Sequence, residues 1–199
     1  MSDGWFRTDI GPHFLDCLNF SRRQISLVPD NIREWPWTII GLAALVQSAC
    51  ALYLDERDTM GIATLSSQKN KDGESNQGQT IQALQHNSDK KVPKPFMAPP
   101  KDLLKRVQNG NDAIVLSHKG REDLKKLVEF RNEFTHFTPI GWSIQTAGLP
   151  RIAREAFSLV EVILEKPGLY RRISSEQREH AKELCVSAIN QCDSLGIVK

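Results

Sequence analysis

Arg131, Asn132 and His136 are the residues of this chain whose types and spacing could do chemistry, within the run Arg131-Asn132-Glu133-Phe134-Thr135-His136. A guanidinium grips an anion with two parallel donors and stays protonated, while an imidazole gives and takes protons near neutral pH. On a helical wheel with Arg131 at the origin, Leu124 and Leu127 fall at about +20° and −40°, and Val128 and Phe134 at about +60° and −60°. The wheel therefore predicts a cation in the middle of an apolar stripe. A buried, unpaired guanidinium is costly, so this one must meet an anionic partner or border a water-lined cleft.

Asn132 and His136 are an i,i+4 pair, close enough for the amide to hold one ring nitrogen and select the tautomer. Arg131 and His136 lie about 140° apart on the same wheel. They converge on one ligand only if the helix loosens before Pro139 or a second subunit completes the site. Thr138 precedes that proline and is pushed out of the helical region, which predicts His136 in the last turn, able to reach forward.

With its surroundings, Phe130 to His136 followed by Phe137, Thr138, Pro139, Gly141, Trp142, Ser143 and Ile144, the segment resembles the HEPN superfamily of small helical proteins. The signature there is Arg, a short spacer and His near the end of a long helix, commonly with a polar residue after the Arg. Here four residues separate Arg131 from His136. The resemblance is close over roughly fifteen residues, agrees in helix order over about two thirds of the chain, and does not cover residues 55–100. It implies an all-α bundle of four to five helices, usually a homodimer whose motif helices meet at a shared cleft. Many members are ribonucleases that need no metal; others bind nucleotides or act as partners in toxin–antitoxin and phage-defence systems. Carried over residue by residue, Arg131 would hold and polarise the scissile phosphate, Asn132 would orient the ring, and His136 would exchange protons.

That chemistry is coherent with the residue types. RNA is cut when its own 2′-hydroxyl attacks the adjacent phosphorus, which asks for a base, an acid and a cation near the equatorial oxygens. One histidine cannot be base and acid at once, and a two-fold dimer supplies the second copy. The expectation is thus a metal-independent endoribonuclease with its site at a dimer interface and no cofactor, acting on RNA, with an antitoxin or defence-system protein as a further partner. DNA and membranes are not expected partners. Three other readings stand beside it. Arg131 could pair with an acid such as Asp16, Glu155 or Glu161, with His136 an ordinary residue favoured by the helix macrodipole. The cleft could hold a nucleotide or another protein without catalysis. Or the chain could associate with a membrane through Trp35 to Leu54, twenty residues without a charge, although Pro36, Gly41, Gln47 and Ser48 suit a central bundle helix as well.

The chain has 199 residues and 40% hydrophobic content, enough to bury a sizeable core as one helical domain over 1–199. Its net charge of +2 does not by itself announce a nucleic-acid partner, but cations cluster at Lys119/Arg121/Lys125/Lys126, Arg151/Arg154 and Arg171/Arg172. Such clusters are commonly solvated helix faces; with RNA as substrate they are where phosphates would lie. Cys17, Cys50, Cys185 and Cys192 show neither a CxxC pair nor zinc spacing, so reduced thiols in a cytoplasmic core are expected. No basic segment followed by an apolar run opens the sequence, so a secretory signal is not expected. His13, His86, His118 and His180 have no local partner pattern, and there is no phosphate-binding glycine loop, HExxH or nucleophile elbow.

Periodicity and breakers predict helices over about 11–25, broken by Pro29-Asp30-Asn31, then 36–57, 101–109, 119–137, 150–166 with Pro150 near its start, and 174–194 headed by a Ser174/Gln177 capping-box pattern. Strand signals are nearly absent. Residues 58–100 read as an insertion: 66–80 a polar mobile loop, 81–86 one or two helical turns, then a strap carrying Pro93, Pro95, Pro99 and Pro100. Trp142 reads as an anchor for the turn after the motif, among Ile140, Ile144 and Leu149, more readily than as a stacking platform for a base. The long helices joined by mostly short loops argue an antiparallel bundle.

Overall fold

A computed structural model describes residues 9–57, 64–66, 97–110, 112–136, 143–166 and 171–197. These residues form six α-helices: α1 (Ile10–Leu27), α2 (Trp35–Arg57), α3 (Pro100–Val107), α4 (His118–Thr135), α5 (Leu149–Glu165) and α6 (Ser175–Ile197). The fold is an all-α bundle, and the described residues contain no strand beyond an isolated bridge between Leu65 and Met97. That bridge, with the Ala98 amide donating to the Thr64 carbonyl at 2.8 Å, joins the two arms of the predicted insertion. Of the loop predicted at 66–80, Ser66 is described and is buried; residues 67–80 and the predicted helical turns at 81–86 lie outside the described residues.

The helix starts are set by side chains. Asp9 accepts from the Gly11 amide and Ser117 from the Gly120 amide. Ser174 and Gln177 close the predicted capping box, the Ser174 amide donating to Oε1 and the Gln177 amide to Oγ. Prolines at the first turn of α3 and α5 suit positions whose N–H has no helical partner.

α2 is apolar on every side and packs against α1, α3, α4 and α5. Ile39, Leu42, Leu45, Val46, Ala49 and Leu52 are fully buried along it. It is long and apolar enough to cross a membrane, with mean hydropathy 1.7 over its most apolar window, yet 78% of that window is buried inside the bundle. Gly41 lets α1 approach closely, since a Cβ there would meet the Phe20 ring at 2.7 Å.

Polar ties fix the ends. At one end Arg171 and Arg172 hold Asp55 at the close of α2, with Arg172 Nε at 2.8 Å from Oδ2. A side chain at Gly11 would run into the Arg172 carbonyl, which pins the start of α1 to the same place. The buried Arg178 donates to the carbonyls of Leu164 and Lys166 and so caps α5. The tie that matters for the motif helix is Asp123 on α4, buried at 1% exposure and held bidentately by Arg151 of α5 at 2.7 and 2.8 Å.

Arg151 is 45% exposed in its side chain and Asp123 only 2%, so the two substitutions should differ in cost. Arg151→Ala leaves a buried carboxylate uncompensated and is expected to cost about 2–4 kcal/mol in urea unfolding. Asp123→Ala lets the arginine turn to water and should cost less; equal small losses would show that the pair is not holding α4 on α5.

Candidate active site at the end of the motif helix

α4 runs antiparallel to α5: Gly120 lies against Glu155 and Asp123 pairs with Arg151, in the first turn of α5. Twelve further residues of α4, about 18 Å of helix, extend past that pair. The buried residues of α4 accordingly end at Leu127, while Val128, Phe130, Arg131 and Phe134 are half-buried. This corrects the helical-wheel expectation of a cation deep in the core: the apolar stripe continues, but α5 does not continue alongside it. Arg131 sits on a partly open flank instead.

Its guanidinium donates from Nη1 to Asn132 Oδ1 at 3.0 Å. No carboxylate pairs with it among the described residues, so Asp16, Glu155 and Glu161 do not play the part the structural alternative gave them. The Asn132 amide oxygen is thus turned to Arg131 rather than to the His136 ring. His136 caps the helix with φ −107° and ψ 56°, its backbone amide donating to the Asn132 carbonyl at 2.9 Å. The helix ends here because a proline at 139 disfavours helix at 138 and its ring would clash with the carbonyl of Thr135. Thr135 Oγ1 bonds back to the Arg131 carbonyl at 2.9 Å. The imidazole is exposed and makes no hydrogen bond among the described residues. Arg131 and Asn132 are therefore brought together and His136 stands one turn on, facing outward.

Two hollows flank this helix end. On one side Phe130, Glu133, Ser143 and Ile144 border a hollow of about 320 Å³ against the start of α5. Trp142 lies outside the described residues. On the other side a groove of about 630 Å³ separates α3 from α4. Its floor is aliphatic, from Leu104, Leu116, Leu124 and Val128. Lys101 and Lys105 rise from α3 and Arg121 and Lys125 from α4, and the groove reaches Asn132. Sequence reading found Arg121 and Lys125 but missed Lys101 and Lys105. Their signal was the spacing 101, 105, 108, one polar face of a short helix whose other face, Leu103, Leu104 and Val107, is buried.

The motif lies toward the end of the bundle opposite Asp55 and Arg172, the end at which α1 gives way to α2. That end exposes Leu27 at 38%, Ile32 at 62% and Trp37 at 57%. Among the described residues no group of three or more His, Cys, Asp or Glu is placed to hold a metal ion. The four cysteines are buried; desolvation pushes Cys50, Cys185 and Cys192 up to about 12 and raises Cys17, so none offers a thiolate nucleophile. Comparison with protein-family models, with curated proteins and with solved structures finds no match to the chain.

Because the three side chains lie on a half-open helix end, Arg131→Ala, Asn132→Ala and His136→Ala should each change unfolding free energy by less than about 1 kcal/mol. Urea titration followed by circular dichroism measures this. A loss well above that for Arg131→Ala would make it a packing residue.

Proposed function

We propose that the chain is a metal-independent endoribonuclease of HEPN type, in which Arg131 grips the scissile phosphate, Asn132 orients the site and His136 carries protons. The observation that carries the reading is Arg131 itself: a half-buried guanidinium with no acidic partner among the described residues, next to an amide and one turn from an exposed imidazole. An anion supplied from outside would complete it. Asn132 Oδ1 holds the guanidinium, so its orienting action falls on Arg131.

The reaction proceeds by proton removal from the 2′-hydroxyl, attack of that oxygen on phosphorus, and proton delivery to the departing 5′-oxygen, leaving a 2′,3′-cyclic phosphate. Arg131 stabilises the charge that builds on the equatorial oxygens. Because a single His136 does not serve both oxygens at once, the reading includes a homodimer, and the exposed Leu27, Ile32 and Trp37 at the motif end offer apolar surface for a second copy. A place in the cytoplasm, under the control of an antitoxin-like or defence-system partner, belongs to the same proposal.

Incubation of the purified protein with end-labelled RNA in the presence of chelator should give products ending in cyclic phosphate. His136→Ala should lower the rate by at least about 100-fold, within the range of general acid–base contributions, with helix content and oligomeric state unchanged. Cleavage that survives this substitution removes His136 from the site, and nucleotide binding without any cleavage points to the non-catalytic module of the same fold.

A further inference from the structure

We propose that the groove between α3 and α4 holds the single-stranded RNA beside the scissile phosphate and favours bases that carry an exocyclic amino group over uracil. The inference deepens the proposed function and rests on it for the position of the cleaved bond. Three features of the groove carry it.

Its cations form a track. Lys101 and Lys105 are one helical turn apart on α3, and Arg121 and Lys125 one turn apart on α4, so each pair is spaced by about 6 Å along its axis. That is of the order of the separation of neighbouring phosphates in an extended strand. The Ile114 amide donates to the Val107 carbonyl, so α4 starts where α3 ends and the groove opens toward Asn132 from there. A strand on this track is led to Asn132, whose Oδ1 holds the Arg131 guanidinium.

The floor is aliphatic and the volume is that of a small-molecule cleft, which admits a few splayed nucleotides and excludes a duplex. Leu104, Leu116, Leu124 and Val128 can pack against the flat face of a base.

The groove is also lined by Glu122 and Glu129, with Gln108 and Asn109. Carboxylates repel phosphate, and in a polyanion site they are acceptors that need donors. Adenine and cytosine bring such donors as N6 and N4 amino groups, which pair with amide and carboxylate side chains. Uracil brings only N3–H, flanked by two carbonyl oxygens that would face the carboxylate. The same two glutamates therefore discriminate against uracil while the four cations hold any strand.

The test uses the intact protein and fluorescein-labelled 2′-O-methyl oligonucleotides, which lack the attacking hydroxyl and stay uncut whether or not the chain is a nuclease. Anisotropy should show tracts of A and C binding about tenfold or more tighter than a U tract of equal length. Glu122→Ala with Glu129→Ala should bring the three tracts within about threefold of one another. Lys101→Ala with Lys105→Ala should weaken all three alike and lower the slope of log K against log salt by about 1.4. Unchanged affinity and slope in the lysine variant overturn the groove, even if RNA is cleaved. Equal binding of the U tract by the parent protein overturns the base preference. Capture of an acidic amphipathic peptide with no RNA binding overturns the proposal altogether. Normal groove behaviour in a protein that cuts nothing would instead retire the nuclease reading and leave the groove standing.

Discussion

Everything in this molecule is arranged around the need to keep water from α2. A helix of 23 residues that is apolar all round has no face to offer solvent, so other helices must enclose it, and α1, α3, α4 and α5 do. α3 has only eight residues, about 12 Å of helix. It is tied beside the later part of α2, where Gln47 donates to the Ala98 carbonyl and the Tyr53 hydroxyl to the Asp112 carbonyl. α4 is more than twice as long and is clamped to the head of α5 by Asp123 and Arg151. The mismatch in length leaves the end of α4 only partly covered. The candidate site stands there.

Two arginines show how context decides a cation's part. Arg178 is the buried one, 8% exposed, and it is satisfied by backbone carbonyls at the end of α5. Its role is structural and complete within the chain. Arg131 is half-buried, bonded to an amide that carries no charge, and keeps its countercharge unmet among the described residues. In the proposed reading that imbalance is what makes the site an anion receptor, and the groove between α3 and α4 extends the same electrostatic preference along a strand.

Local signals made much of the architecture legible. Ser174 and Gln177 marked the start of α6, Pro29 to Asn31 the end of α1, Pro150 the head of α5, and the uncharged run from Trp35 marked the central helix. Pro139 placed His136 in the last turn. What the sequence could not convey was pairing at a distance. The Asp123–Arg151 clamp joins residues 28 apart, and nothing in either neighbourhood announces it. Without that register, a helical wheel treats every apolar position on α4 as equally covered, so Arg131 was placed deeper than it lies. Lys101 and Lys105 were likewise passed over, because a cationic face on a short helix acquires meaning only when α4 stands across from it.

The central claim is that Arg131 and His136 take hold of one phosphodiester together. Heteronuclear NMR of the isotopically labelled protein, titrated with a 2′-O-methyl dinucleotide, tests it most directly by following the Arg131 guanidinium and His136 imidazole resonances. The account predicts that both move and saturate on a single binding curve. Resonances of Arg131 that stay in place while the ligand binds elsewhere, or that shift without those of His136, would contradict it.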